Sequence, residues 1–338
     1  MPRFGLCLLP EHIGDCAPLA RQAEAAGFEL LGFVDSQNIA CDVHVALTVA
    51  ALSTTTIRLG PTVTNPLTRH IVVTANALAS VDELSGGRAF VGLGSADSAA
   101  FTLAMRPAPL AAMEQGVRDL QTLTAGGVVG RDGQRLWVKT ARRRVPVYLA
   151  ADGPRTRQLA GRIADGAILG SGISPEEVAR CLDDLATGAK AARRRLEDLD
   201  VWWLVKANIA DTREQAVDEL AMALAASANR AFRVVRDTVP AHLAPAIAEL
   251  QRRYDPHLHE SLAPEGNGRL LERPELTDYL AERFAVAGTP EDCATQVERA
   301  VAAGATQLLL TGITPDPRRF VGRWATEVMP RFTAAARR

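Results

Sequence analysis

The chain has 338 residues, 47% of them apolar, and a formal net charge of -1, so it has ample material for a core and no basic excess to attract nucleic acid. Its five cysteines, Cys7, Cys16, Cys41, Cys181 and Cys293, form no C-x-x-C pair, and no histidine is spaced to complete a zinc site. A reducing, cytoplasmic compartment suits them, the N-terminal run MPRFGLCLLPEH is too short for a signal peptide, and no window approaches the ~20 apolar residues of a membrane span.

Phe4 to Leu9 reads as a short apolar strand, followed by helix-period positions from Asp15 to Ala26 with Gly27 as the stop. Leu30 to Asp35 and then Val43 to Leu52 make a second strand and helix, with Asp35, Ser36 and Gln37 leaving the strand into a loop. The third unit is the clearest. Ile57 to Val63 and Ala89 to Leu93 are β-branched or aliphatic runs that bracket a helix pattern from Ile71 to Leu84. These two strands end in Thr64 and Asn65 and in Gly94, Ser95 and Asp97, small or polar residues of the kind found where parallel α/β folds place ligands.

A helix over Leu110 to Leu123 stops at Gly126 and Gly127, and Asp132-Gly133 between apolar arms predicts a hairpin excursion. Val145 to Ala151 is a fifth strand, and Pro154 opens the next helix where its missing N–H costs nothing. Gly166 to Leu169 is a sixth strand, ending in Gly170, Ser171 and Gly172; Glu176 to Arg195 is helical; Val201 to Ile209 is the seventh strand. Thr212 and Gln215 suggest a capping box for a helix ending near Asn229. The repeat then lapses from Arg230 to Ala285, where YDPHLHESLAPEGNGR is loop chemistry. Thr289-Pro290 starts a helix to Ala303, Thr306 to Leu310 is an eighth strand, and a closing helix begins at Asp316. Eight strands alternating with helices predict an α/β chain folded as a (β/α)8 TIM barrel with an insertion after strand seven; an open doubly wound sheet is the rival. The expected organisation is one barrel domain over residues 1–338, with residues 230–285 as an insertion or lid within it.

At TVTNPLTRH and DELSGGRAFVGLGSADS the sequence resembles the bacterial luciferase-like superfamily of flavin- and deazaflavin-dependent oxidoreductases, most of all proteins similar to methylenetetrahydromethanopterin reductase. FVDSQ, RPAPL, VYLAADGPRTRQLAGRIADGAILG and RFAVAGTPEDC agree in matching order, and the likeness fades from Tyr254 to Pro274. The resemblance implies FMN or coenzyme F420 at the C-terminal mouth of a barrel, acting on a small-molecule substrate by hydride transfer or monooxygenation. It implies a ring surrounded by Asp35, Ser36, Val63, Thr64, Asn65, Gly94 and Ser95, and a phosphate held by Ala151, Asp152, Gly153, Gly170 and Ser171. A non-proline cis bond around Val63 and Thr64, a homodimer through the second and third helices (Ala46, Val49, Ala50, Ala75, Ala79), and a separate flavin or F420 reductase as partner belong to the same implication. Two positions depart from the family pattern: Ala96 stands where glycine is common and Asp152 where serine is frequent.

Such a cofactor carries the reaction and asks the protein for orientation, ring hydrogen bonds and control of water, so no catalytic triad is required. Gly153 and Pro154 put a bare backbone at a helix start, whose N–H groups favour a phosphate; an ordinary strand-to-helix turn would look the same. Asp35 is the candidate catalytic residue, as a hydrogen-bond partner of the ring edge or a proton acceptor, against a plain loop-capping role. His12 and His44 are candidate mouth histidines, although surface or core positions are commoner, and Asn65, Arg69 and His70 read as loop support. His257 and His259 with Asp255 and Glu260 fit an exposed loop better than a metal site. Gly92-x-Gly94 is a faint dinucleotide fingerprint that does not enter a helix at once. Two further readings stand beside the oxidoreductase: a cofactor-binding barrel without redox turnover, and a non-redox barrel enzyme acting on a phosphorylated substrate.

Overall fold

The structure, a computed structural model, describes residues 1–314 and 316–335. In chain order the first elements are β1 (Arg3–Leu8), α1 (Ile13–Ala25), β2 (Leu30–Phe33), α2 (Val43–Ser53), β3 (Arg58–Pro61), α3 (Ile71–Leu84) and β4 (Val91–Leu93). There follow α4 (Ser98–Phe101), α5 (Leu110–Thr124), the hairpin β5 (Val129–Arg131) and β6 (Gln134–Leu136), then β7 (Val147–Ala150), α6 (Pro154–Ile163), β8 (Gly166–Leu169) and α7 (Pro175–Ala191). The C-terminal part holds β9 (Asp200–Ile209), α8 (Arg213–Asp218), α9 (Ala221–Ala231), α10 (Ala244–Arg253), α11 (Pro274–Phe284), β10 (Ala285–Gly288), α12 (Pro290–Ala302) and β11 (Gln307–Thr311). The described chain ends with α13 (Pro317–Arg323), a π-helical turn over Trp324–Val328 and α14 (Met329–Ala335).

These elements fall into two compact units. One comprises residues 9–168 and 182–201. Within it β2 runs parallel to β3 in the register Leu30↔Arg58 to Phe33↔Pro61, and β7 lies between β4 and β8, again parallel. Leu59↔Ala89 and Thr64↔Leu93 bridge β3 to β4, so the C-terminal ends of these strands share one side. The approach of β3 to β4 is close because Gly60 has no side chain; a Cβ there would lie 2.2 Å from the Phe90 carbonyl oxygen. At the opposite end Arg58 donates to Asp200 at 3.1 Å, and the Tyr148 hydroxyl donates to the same carboxylate at 2.6 Å.

α3 shows how pattern becomes packing. Ile71, Thr74, Ala75, Leu78, Ala79 and Val81 are buried at helical spacing, and truncating Leu78 to alanine would open a cavity costing about 2–5 kcal/mol. The hairpin forms as its turn residues require: Asp132 (φ 49°) and Gly133 (φ 77°) both occupy the left-handed region that a two-residue type I′ turn demands.

The other unit comprises residues 1–8, 169–181 and the chain from 202 onward. β11 is central, parallel to β1 through Arg3↔Gln307 to Cys7↔Thr311 and parallel to β9 through Leu308↔Trp203 to Thr311↔Lys206. β10 adds a further parallel strand on β9, with Ala285↔Lys206 to Gly288↔Ile209. That strand is absent from the sequence reading, since it follows α11 directly, with no turn residue to mark where the helix stops and the strand begins.

The stretch from 230 to 285 also carries more structure than its loop chemistry suggested. α10 buries Ala246, Ile247 and Leu250, and α11 buries Leu276, Leu280, Ala281 and Phe284, both at helical spacing. Between them Asn267, 2% exposed, accepts from the Asp255 N–H at 3.0 Å and donates to the Asp255 carbonyl at 2.8 Å, clasping the base of the 256–266 loop. Upstream, Thr212 accepts from the Gln215 N–H at 3.2 Å, but the Gln215 amide donates to Glu219 at 2.9 Å instead of returning to the cap, so the capping box is only half made. The helix expected there divides into α8 and α9. On α2 and α3, Ala46, Ala50, Ala75 and Ala79 are buried within their own unit, which corrects their assignment to a dimer contact. The exposed apolar residues of those helices are Val45, Leu52, Val73 and Leu84.

Among the described residues no helix is long and apolar enough to cross a membrane, and no cluster of three or more His, Cys, Asp or Glu could hold a metal ion.

Candidate functional site

The polar centre of the first unit lies at the C-terminal ends of β2, β3 and β4. Asp35, just past β2 and 8% exposed, accepts from the Thr64 hydroxyl at 2.6 Å and from Arg69 Nη1 at 2.9 and 2.7 Å. The other Arg69 nitrogen donates to Asp42 at 2.8 Å, and Asp42 caps α2 by accepting from the N–H groups of His44 and Val45. One arginine thus ties the end of β2, the end of β3 and the start of α2. Burial works downward on the Arg69 pKa, but the hydrogen bonds and charges of Asp35 and Asp42 outweigh it and hold it above the ordinary value. Burial works upward on the Asp42 carboxyl, yet Arg69 and the helix N–H groups keep it below the usual carboxylate range.

His44 sits beside this network. Burial, followed by the Arg69 charge, pushes its pKa below the ordinary histidine value, and its Nε2 is buried without a hydrogen-bond partner. The sequence identified His44 only as one of two candidate mouth histidines, with His12. The orphaned nitrogen is visible only in three dimensions.

The residues expected to surround a ring are tied together by main chain. The Thr64 N–H donates to the Gly92 carbonyl at 2.9 Å and the Gly94 N–H to the Thr64 carbonyl at 2.7 Å, continuing the β3–β4 ladder past the strand ends. The peptide bond between Thr62 and Val63 is cis, one position before the place expected. Gly92 and Gly94 make room for Val63, because a Cβ on either would lie 2.8 or 2.5 Å from that side chain. This packing accounts for the two glycines without a dinucleotide. Asn65 spends its side-chain oxygen on the N–H groups of Leu67 and Thr68, at 2.9 Å each, and His70 caps α3, so both support the loop as anticipated. The Ser36 hydroxyl lies 3.2 Å from that of Ser98, and Gln37 donates to the Ala99 carbonyl and the Thr102 hydroxyl, joining the β2 loop to α4. Ser95 is exposed, and its carbonyl accepts from Ala108 N–H at 2.7 Å. Ala96 adopts φ 66°, a left-handed conformation that glycine takes freely and alanine at a cost.

Ala151, Asp152 and Gly153 follow β7 in the same unit. The Ala151 N–H donates to the Ile168 carbonyl at 3.0 Å, Gly153 caps α6 with Pro154 behind it, and Thr156 folds back on Gly153. Arg157, 1% exposed, donates to the Asp152 carbonyl at 2.6 Å and to Asp184 at 2.9 Å. Gly170 and Ser171 belong to the other unit, so the predicted set is not gathered in one unit. There the Gly170 carbonyl accepts from Arg230 at 3.3 Å and the Ser171 carbonyl from Arg283 at 3.1 Å. The sequence reading missed these three arginines, because nothing in the spacing of a buried arginine on an amphipathic helix distinguishes it from a surface one.

Residues 3–307 match the family described as luciferase-like monooxygenase. The chain is 29% identical over 321 residues to the 5,10-methylenetetrahydromethanopterin reductase of Methanolobus tindarius, covering 90% of this chain and 93% of that protein. It is also 29% identical over 314 residues to the F420-dependent glucose-6-phosphate dehydrogenase of Beutenbergia cavernae, covering 86% and 83%. Among solved structures, the coenzyme F420-dependent tetrahydromethanopterin reductase of Methanopyrus kandleri superposes with a TM-score of 0.76 at 25% identity, covering 98% of this chain and 99% of the other. The fold is accordingly of the (β/α)8 TIM-barrel class, as the strand–helix alternation indicated.

Proposed function

The chain belongs to the luciferase-like monooxygenase family, and from that premise we propose that it is an oxidoreductase using coenzyme F420, with FMN as the alternative cofactor, to reduce or oxidise a small organic substrate. F420 is placed first because two relatives aligned over most of their length, the dehydrogenase of Beutenbergia cavernae and the reductase of Methanopyrus kandleri, are named as F420-dependent. When bound, a deazaflavin supplies hydride transfer at its ring carbon, whereas a flavin also supplies oxygen chemistry.

The observation that carries this reading is the tied polar set Asp35–Thr64–Arg69 at the ends of β2 and β3, with a buried, unpartnered His44 nitrogen alongside. A ring with polar edges suits such a place: it needs fixed donors and acceptors at strand ends and backbone that approaches closely, as at Thr64 and Gly94. In this proposal Asp35 orients the ring edge. Both its oxygens already accept from Arg69, so holding geometry fits it better than service as a free general base. Ser36, Val63, Thr64, Asn65, Gly94 and Ser95 complete the ring side, and Ala151, Asp152 and Gly153 present the start of α6 to a phosphate; Gly170 and Ser171 are proposed as phosphate-binding residues of their own unit. Residues 230–285 are proposed as a wall on the substrate side that excludes water.

The test is titration of the purified chain with F420 and with FMN, followed by anaerobic single-turnover measurements with the reduced cofactor. Saturable binding of F420, lowered at least tenfold by Asp35→Asn, is expected. Binding of neither cofactor by the wild-type chain would overturn the proposal. Oxygen-dependent product formation with FMN alone would move the assignment to a monooxygenase.

A further inference from the structure

We infer that Arg230 and Arg283 are positioning residues for cofactor phosphate: they turn the carbonyls of Gly170 and Ser171 away from the anion without touching it. This rests on the assignment of the Gly170–Ser171 loop to the phosphate in the proposed function.

A loop that receives a phosphate must present N–H groups and keep its carbonyl oxygens elsewhere, because each carbonyl dipole aimed at the anion repels it. In an extended loop the carbonyls are free to rotate, and something must hold them. Here Arg230 takes the Gly170 carbonyl at 3.3 Å, and Arg283 Nε takes that of Ser171 at 3.1 Å. Arg283 has little freedom to do otherwise. Its other nitrogens donate to Glu177 at 3.1 Å, the Tyr279 hydroxyl at 3.1 Å and the Thr238 carbonyl at 3.3 Å. The guanidinium also lies over the rings of Phe232, at 5.1 Å, and Phe284, at 5.4 Å. The loop is held from the other side as well, since the Ile173 N–H donates to the Arg283 carbonyl at 2.8 Å. Gly172, at φ 125°, brings the backbone against that side chain, where a Cβ would lie 2.8 Å from Arg283 Cγ.

Glu177, 1% exposed, is shared between Arg283 and Arg180 and so helps to hold the Arg283 guanidinium in place. A structural salt bridge alone would not need the two carbonyls. The same device recurs in the other unit, where buried Arg157 holds the Asp152 carbonyl.

The test compares a cofactor with its phosphate-free counterpart on the full chain: FMN with riboflavin, and F420 with its deazariboflavin core, by fluorescence titration. Arg230→Gln and Arg283→Lys are the variants, and Glu177→Gln/Arg283→Met is a third that leaves no buried carboxylate unpaired. Each should weaken the phosphate-bearing ligand at least tenfold and change the phosphate-free one less than twofold, with the melting transition of Arg230→Gln near that of the wild type. Equal weakening of both ligands, or an unchanged ratio in folded variants, would overturn the inference and leave the proposed function intact. A wild-type chain that binds the phosphate-bearing and phosphate-free forms equally would instead sink the phosphate assignment of the loop, and this inference with it.

Discussion

The Asp35–Arg69 pair gives the sharpest test of how the site is built. Asp35→Asn keeps the shape and lets the Thr64 hydroxyl donate as before, but removes the charge that Arg69 meets at 2.7 Å. Arg69 still holds Asp42 at 2.8 Å and is not orphaned, so the loss should sit near the charge-assisted hydrogen-bond value, about 2 kcal/mol. Arg69→Met is harsher, because it leaves a carboxylate at 8% exposure with only Thr64 as a hydrogen-bond donor among these groups; about 3 kcal/mol is expected. If the two act as a pair, the double variant should cost about 3 kcal/mol instead of the sum of about 5, a coupling of about 2 kcal/mol. Urea unfolding with unchanged m-values measures all three, and additivity to within about 0.5 kcal/mol would refute the pairing on which the site description depends.

Glu24 accepts from the N–H groups of Thr55, Thr56 and Ile57; burial works against its charged form, but these bonds prevail and bring its pKa from 4.5 down to about 2. A depressed carboxyl stabilises the fold above its unfolded pKa and loses that contribution as pH falls through the window from 4.5 to about 2, so Glu24→Gln should flatten acid denaturation by about 1–2 kcal/mol after discounting for partial exposure; acid titrations of the two proteins that superimpose would contradict this. A homodimer through the outer face of α2 and α3 is proposed on the exposed Val45, Leu52, Val73 and Leu84; Leu52→Asp with Val73→Asp should give a monomer by light scattering, and a monomeric wild type would end the idea. Shortening residues 257–265 while keeping the Asn267 clasp should preserve cofactor affinity and lower or uncouple turnover, and normal turnover in that variant would dismiss a water-excluding role for the insertion.

The succession of elements was legible in the amino-acid order wherever side-chain period is decisive. α3 has the predicted limits, Ile71–Leu84, because a long run with one apolar face packs only one way; β8, Gly166–Leu169, follows from a short apolar run between polar ends. The residues of the candidate site were also legible by type, as small and polar groups at strand ends. Tertiary structure alone decided what those groups do. Asp35 looked like a free carboxylate until Arg69, 34 positions away in the chain, closed both its oxygens, and the unpartnered nitrogen beside them turned out to belong to His44. Arg283 and Glu177 meet across 106 positions, so no local pattern could have marked either as buried. The strand β10 and the helices of residues 230–285 were hidden for a related reason: short elements owe their stability to packing rather than to propensity, and packing is a property of the folded chain.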